Sequence, residues 1–563
     1  MSTAPQAPLA APAPDAARTS RRAHRIALVL VVLALALLRV RVLDVPLERD
    51  EGEYAYAGQL LLAGNAPFDG AYNMKLPGIY AVYALVMAAF GQTDVGIHLG
   101  LLVASTLSTL LLFRLVERLF DATHALIAAA LFALLSLSAT VQGMFANSEH
   151  FVLPFVLSGL LLLLRAFDVE GEARVARARR LLRLFAGGCL LGAAVLVKQH
   201  ALFFVLLGAG MTAFCARGPT WRGAASALAS YSAGVALPYA VTVLVCLSAG
   251  TFGDFWRWTF VFARDYVGLT SWERGLDNLA TNGGAIVSMA SRATALAVVG
   301  LVALAFARAP RRHRWIAAGF VVASAAAVCP GLYFRPHYFV LLLPAAAMLA
   351  ALGAVALGRL LGARRALGGA LAGAILAGLL ALAALGEIAA KQRAFLFTLA
   401  PEQISRRLYG PSPFPEARVI GDWIREHTAP DARIAALCSE PQFYFYARRR
   451  ASTGFLYLYA LMEKSELAQR MQRDLIAEFE AHPPELVITT PSRDSFADYP
   501  GTWPELRAAH PDFFAWYDKT LAESEQVGVA DVPARGQTAY RFGDEARDYR
   551  TRSPFAVFVR RPR

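Results

Sequence analysis

Leu76–Phe90 reads LPGIYAVYALVMAAF, and how this stretch is taken decides the topology of the chain. It stays apolar for 15 residues, whereas a helix that crosses a bilayer needs about 20. Pro77 suits the first turn of a helix, where no amide hydrogen is required of it. The stretch is therefore expected to be a re-entrant or interfacial helix rather than a span. Taken as a span, it would move every later loop to the other side of the membrane.

Around it, eleven better candidates for spans lie near 25–43, 97–114, 124–141, 150–165, 183–199, 200–216, 224–249, 283–307, 315–334, 337–358 and 366–387. They predict a polytopic α-helical membrane domain of about 11 spans over residues 25–390. Composition agrees: 56% of the 563 residues are hydrophobic and 17% are charged, against about 25% charged in ordinary soluble proteins. Arg18, Arg21, Arg22 and Arg25 precede the first run, which ends in Arg39-Val40-Arg41 without a small-residue cleavage site. That predicts a retained first helix rather than a cleaved signal. The Ala- and Pro-rich residues 1–24 are expected to form a disordered cytoplasmic tail.

The net charge of +13 is explained by loops rather than by nucleic-acid binding. With the N-terminus inside and the spans alternating, the cytoplasmic loops hold Arg114, Arg118, Arg165, Arg174, Arg177, Arg179, Arg180, Arg183, Arg217, Arg222, Arg308, Arg311, Arg312, Arg314, Arg359, Arg364 and Arg365. The opposite side holds few basic residues, as the positive-inside rule requires. The expected location is the cell (inner) membrane, with residues 391–563 outside the cytoplasm. There, Pro415–Thr428 and Glu463–Ala481 read as helices, and Arg433–Leu437, Glu485–Thr490 and Ala556–Val559 as strands. The pattern suggests a small soluble α/β domain. Of five cysteines, four lie in apolar runs and Cys438 is alone; no zinc or disulfide pattern is present.

Charge at membrane depth is costly and usually marks function, and here the polar clusters sit at the outer ends of helices. Arg49-Asp50-Glu51-Gly52-Glu53-Tyr54 supplies three carboxylates, with Asp50 and Glu51 as catalytic candidates. The same segment also fits a capped helix, with Asp50 as N-cap, Glu53 as its partner and Gly64 as C-cap. Lys75, next to a helix start, fits a phosphate site, or a lysine reaching to the interface. Asn147-Ser148-Glu149-His150 offers Glu149 as a third acid beside a possible Asn147 cap. Arg335, His337 and Tyr338 are donors suited to phosphate oxygens, or an aromatic belt with one anchoring arginine. Lys198, in Lys198-Gln199-His200, is a similar but weaker candidate.

No phosphate-cradling glycine loop, dinucleotide fingerprint or HExxH zinc motif is found, so no nucleotide cofactor is expected. A sugar donor presented outside on a polyprenyl phosphate fits this pattern. The stretches Arg49–Ala57 and Tyr72–Gly78 resemble the first outer loop of the GT-C glycosyltransferases. The resemblance is greatest to the branch holding protein O-mannosyltransferases and the lipid A aminoarabinose transferase. It implies Asp50 as general base or metal-side acid, Lys75 as phosphate ligand, Glu149 as the second-loop acid, and Arg335, His337 and Tyr338 as the basic-aromatic group. It also implies two interfacial helices in the first outer loop. Relatives often carry Glu directly before the lysine, where this chain has Met74, so a divalent cation is possible but in question. The implied activity is transfer of a hexose or pentose to an acceptor hydroxyl on a lipid, polysaccharide or protein, with membrane lipids as surroundings. A lipid-sugar flippase would place polar residues nearer the midplane, and a non-catalytic envelope scaffold would leave the outer charges unexplained.

Overall fold

A computed structural model describes residues 14–168, 174–215, 221–268, 270–363, 369–490, 496, 502–532, 537–551 and 555–562. Residues 1–13 of the expected tail, and Arg217, Arg364 and Arg365 of the basic loops, lie outside the described residues. Each of the eleven apolar runs forms a helix. The first, α1 (Pro14–Val40), starts at Pro14, so residues 14–24, expected to be disordered, are helical. Ala and Arg there favour helix and continue directly into the apolar run.

Two helices, α2 (Arg49–Leu62) and α3 (Gly78–Phe90), occupy the first outer loop. Then follow α4 (Asp94–Leu119), α5 (Ala122–Leu135), α6 (Ser148–Phe167), α7 (Arg174–Val197), α8 (Leu202–Cys215), α9 (Trp221–Ser248), α10 (Ser291–Phe306), α11 (Arg311–Ala326), α12 (Leu343–Ala363) and α13 (Gly369–Lys391). Among the described residues, seven helices are long and apolar enough to cross a membrane. An eighth crossing is formed if Trp272–Met289 and α10, bent by 100°, count as one. The other three runs form the shorter α5, α8 and α11. The expected span at 337–358 begins later, at Leu343, because Pro336–Leu341 forms a separate 3₁₀ turn. Helix α3, at 13 residues, is too short to span and ends at Gly91, whose φ of 93° suits glycine.

The outward faces are apolar: Leu37, Leu244, Val322 and Leu371 are largely exposed. Water would not tolerate so large a continuous apolar surface, and lipid does. The protein is a multi-pass membrane protein. Within the bundle, α10 and α12 cross at Gly300 and Gly353, where any Cβ would collide with the carbonyls of Leu349 and Leu296. Small residues let the two backbones touch, which is how helices pack where lipid removes the hydrophobic drive.

Helix α4 shows how the two ends of the bundle differ. Its last turn carries Arg118, which pairs with Asp168 beyond α6, and Asp168 also meets Arg312 of α11 at 3.4 Å. Its first turn carries Asp94, which accepts from Arg418 at 2.7 Å and from the Tyr446 hydroxyl. These ends are about 39 Å apart at 1.5 Å per residue. The arginine-rich loops thus lie at one end, and the C-terminal unit is fastened to the other.

That unit carries a six-stranded mixed sheet, β1 (Arg433–Leu437), β2 (Arg450–Ala451), β3 (Leu486–Thr489), β4 (Ser524–Val532), β5 (Ala539–Phe542) and β6 (Phe555–Pro562), in the order β2-β1-β3-β6-β4-β5. β1 is parallel to β2 and β3, and β6 is antiparallel to β3 and β4. Phe414–His427 and Glu466–Ala481 are the expected helices. Strands β2, β4 and β5 go beyond the three expected strands; a register shift between Gln526 and Gly528 breaks the alternation of β4.

The first outer loop and the C-terminal unit are joined by hydrogen bonds and packing. The amide of Tyr72 donates to the Gly454 carbonyl at 2.8 Å, and the amide of Ala451 donates to the Tyr56 hydroxyl at 2.8 Å. Gly52 lies against Gln442, so that a Cβ would sit 2.6 Å from that residue's own Cβ. The glycine of the Asp-Glu-Gly-Glu motif is there to let the C-terminal unit approach.

Candidate active site

The start of α2 is built two residues earlier than expected. Glu48, not Asp50, is the N-cap. Its carboxylate accepts from the Glu51 amide at 3.2 Å, and the Glu51 carboxylate accepts from the Glu48 amide at 3.0 Å. This reciprocal box satisfies two orphan donors. Glu51 also accepts from the amide of Ala146 and meets His98 Nε2 at 3.0 Å, fully buried. Glu51 was expected to be catalytic; its carboxylate is engaged by the Glu48 and Ala146 amides and His98, and it does not line the cavity.

The shift leaves Asp50 free of capping and puts it one turn from Glu53, on the same face. Lys75 Nζ donates to both, at 3.0 Å to Asp50 and 2.6 Å to Glu53. Glu53 accepts further from the hydroxyls of Tyr80 at 2.6 Å and Tyr457 at 2.7 Å. The ammonium also lies 4.6 Å from the ring centre of Tyr54, a distance for cation–π attraction. Burial works against the Asp50 charge, but Lys75, His337 and Lys198 outweigh it and hold its carboxyl well below the usual range. Burial likewise opposes the Lys75 charge, and Asp50 and Glu53 raise its pKa despite it.

A cavity of about 590 Å³ opens beside this cluster. Six of the eight residues singled out from sequence line it: Asp50, Lys75, Lys198, Arg335, His337 and Tyr338. Glu149 does not. It is fully buried and ion-paired to Lys198 at 2.6 Å, so it acts on the cavity through that lysine. Asn147 precedes α6 but makes no side-chain cap. Lys198 also lies over the Tyr338 ring at 4.4 Å. Arg335 lies 5.4 Å from the ring centre of Tyr333, which stacks on Tyr266. His337 Nδ1 is 2.8 Å from Gln142 Oε1. Burial, with Lys198 adding to it, pushes the imidazole down to about 4, so the ring is neutral at physiological pH. Gln142, Leu332 and Phe334 all hold positive φ (52°, 57° and 42°), a cost that surrounding structure sustains at functional sites.

Sequence reasoning missed Tyr457 and Tyr459, both from the C-terminal unit, and treated Glu53 as part of a cap. Tyr459 lines the cavity. The signal for Glu53 was its spacing of three from Asp50. For the tyrosines no local signal existed. A divalent cation has no evident seat here: among the described residues, no three His, Cys, Asp or Glu side chains form a metal-holding group. Lys75 Nζ already occupies the space between Asp50 and Glu53, bonded to both.

Residues 74–246 match the family described as dolichyl-phosphate-mannose-protein mannosyltransferase. The solved structure of ArnT from Cupriavidus metallidurans in the apo state aligns over 96% of this chain and 98% of its own, with TM-score 0.56 and 14% identity. The same protein bound to undecaprenyl phosphate aligns over 83% and 93%, with TM-score 0.54 and 17% identity. The oligosaccharyltransferase AglB from Archaeoglobus fulgidus, in complex with an inhibitory peptide and a dolichol-phosphate, aligns over 97% of this chain and 76% of its own, at 0.53 and 13%. No curated protein sequence matches the chain. The chain has the GT-C fold. The resemblance of Arg49–Ala57 and Tyr72–Gly78 pointed to that fold. In this GT-C chain, the family match begins at Met74, beside Lys75.

Proposed function

We propose that the protein transfers a hexose or pentose from a polyprenyl-phosphate donor to an acceptor hydroxyl on the outer face of the cell membrane. The observation that carries this reading is the cavity itself. It sets Asp50, more exposed than the buried cap Glu48 that also lines it, among Lys75, Lys198, Arg335, His337 and Tyr338. Anionic oxygens are bound by such donors, and an exposed carboxylate suits a proton acceptor. The placement of the arginine-rich loops at the far end supports an outer location through the positive-inside rule.

In the reaction, the lysines, Arg335 and Tyr338 hold the donor phosphate. His337 is neutral at rest, and a phosphate beside it favours the charged, donating ring. The acceptor hydroxyl passes its proton to Asp50 as its oxygen forms a bond to the anomeric carbon. The bond from that carbon to the phosphate oxygen breaks, and polyprenyl phosphate leaves with the electron pair. Attack opposite the leaving group inverts the configuration in one displacement.

The test is a transfer assay with purified protein, radiolabelled polyprenyl-phosphate sugars and cell-envelope acceptors, run beside Asp50→Asn. Label transfer by the wild type, lost in a well-folded Asp50→Asn, is expected. Near-normal transfer by Asp50→Asn sinks the base assignment.

A further inference from the structure

The two carboxylates on Lys75 are not equivalent. Asp50 makes one contact with the ammonium, at 3.0 Å, and its side chain is 26% exposed in the cavity. Glu53 is 1% exposed and does not line the cavity. It makes the shorter contact, 2.6 Å, and both of its oxygens are engaged. Tyr80 donates to one, and Tyr457 donates to the oxygen that also meets Lys75. Charge-assisted hydrogen bonds of this length are the strong ones, and a carboxylate held by three donors has no freedom to swing.

We propose that Glu53 is a positioning residue that anchors Lys75, and that an incoming phosphate displaces Asp50, not Glu53, from the lysine. This rests on the functional reading above. An oxyanion entering from the cavity meets the Asp50 side of the ammonium, because the Glu53 side is closed by Tyr80 and Tyr457. Lys75 keeps its Glu53 bond and turns its free donors to the phosphate. Asp50 gives up its one contact and is left facing the acceptor, with less of the lysine charge upon it. Donor binding thereby turns an ion-paired carboxylate into an available base. Without Glu53, the only carboxylate left on Lys75 among the described residues would be the one that must let go.

Tyr457 gives the C-terminal unit a part in this device. It comes from the segment after β2 and reaches Glu53 across the junction between that unit and the first outer loop.

The experiment measures binding of undecaprenyl phosphate to the purified full chain in detergent, by wild type, Asp50→Asn, Glu53→Gln and Tyr457→Phe. Charge alone predicts that removing either carboxylate tightens binding of an anion. Anchoring predicts opposite signs. Asp50→Asn, which removes a competitor for the lysine, is expected to bind several-fold more tightly. Glu53→Gln, which releases the lysine, is expected to bind about tenfold more weakly. Tyr457→Phe keeps every charge and removes one bond to Glu53; about a twofold to threefold weakening is expected, and it serves should Glu53→Gln fail to fold. Tighter binding by Glu53→Gln, or no change in Tyr457→Phe, overturns the anchor while leaving the functional reading standing. A wild type that binds no polyprenyl phosphate overturns both.

Discussion

Lys75 and Lys198 enter one cavity from different parts of the chain, and each brings its own carboxylate. Lys75 is shared between Asp50, which is open to the cavity, and Glu53, which is sealed. Lys198 is paired with Glu149, and Glu149 is sealed. The two acids that the resemblance put forward together, Asp50 and Glu149, therefore differ in kind. One can touch a substrate; the other can set only the charge and aim of a lysine. Access, more than acidity, separates a reacting carboxylate from a supporting one.

The largest effect is expected at the open acid. Asp50→Asn lowers turnover about 10²–10⁴-fold, or about 2.7–5.5 kcal/mol on the barrier, with its melting temperature in detergent nearly unchanged because Lys75 keeps Glu53. Glu149→Gln inverts that pattern. It strands Lys198, only 12% exposed, without its partner, a class of change costing about 3–5 kcal/mol, and the melting temperature records it. Equal turnover losses at unchanged stability in both variants would erase the distinction.

A smaller effect is expected where the C-terminal unit meets α2. Gly52→Ala forces a Cβ into Gln442, an overpacking worth about 1–3 kcal/mol. Faster proteolysis of the C-terminal unit, with the bundle intact, is the expected readout. Identical digestion of variant and wild type would show that the contact yields without cost.

The smallest effect separates the neutral ring from the charged acid. His337 is pushed below its ordinary 6.5, to about 4, by burial first. The unfolded chain thus binds more protons than the folded one between these values, and the His337 contribution to stability falls as pH drops through that window. Asp50 is likewise shifted down, because Lys75, His337 and Lys198 outweigh its burial. Its contribution is full above the ordinary aspartate value of about 3.9 and is lost only as pH falls below it. His337→Gln is expected to lessen the loss of stability between pH 6.5 and 4, measured by thermal melting. An unchanged slope would assign that acid sensitivity to other groups.

The bundle was readable because lipid demands long apolar runs, and nothing in a loop imitates them. The reading of Leu76–Phe90 as too short to span matches the 13-residue α3. Much of the cavity lining was readable by residue type, since Lys75, Lys198, Arg335, His337 and Tyr338 stand out against apolar surroundings. The division of labour among the acids was not. Glu51 and Asp50 are adjacent in sequence and both acidic. The cap at Glu48 decides which turns inward, and a cap register is a matter of backbone angles. Tyr457 and Tyr459 lay out of reach for another reason. Nothing in their own neighbourhood points to α2, and only tertiary packing brings them there. Strand β4 was obscured by the irregularity at Gly528, which interrupts the alternation that marks a strand.

The bond between Tyr457 and Glu53 joins residues 404 positions apart. At synthesis rates of about 5–20 residues per second, about 20–80 s separate the emergence of the two. During that interval the acid-lysine pair exists without the tyrosine that completes it. A ribosome that stalls short of residue 457 releases a membrane-embedded chain whose centre is unfinished. The C-terminal unit thus closes a contact that the first outer loop opens, long after that loop is made.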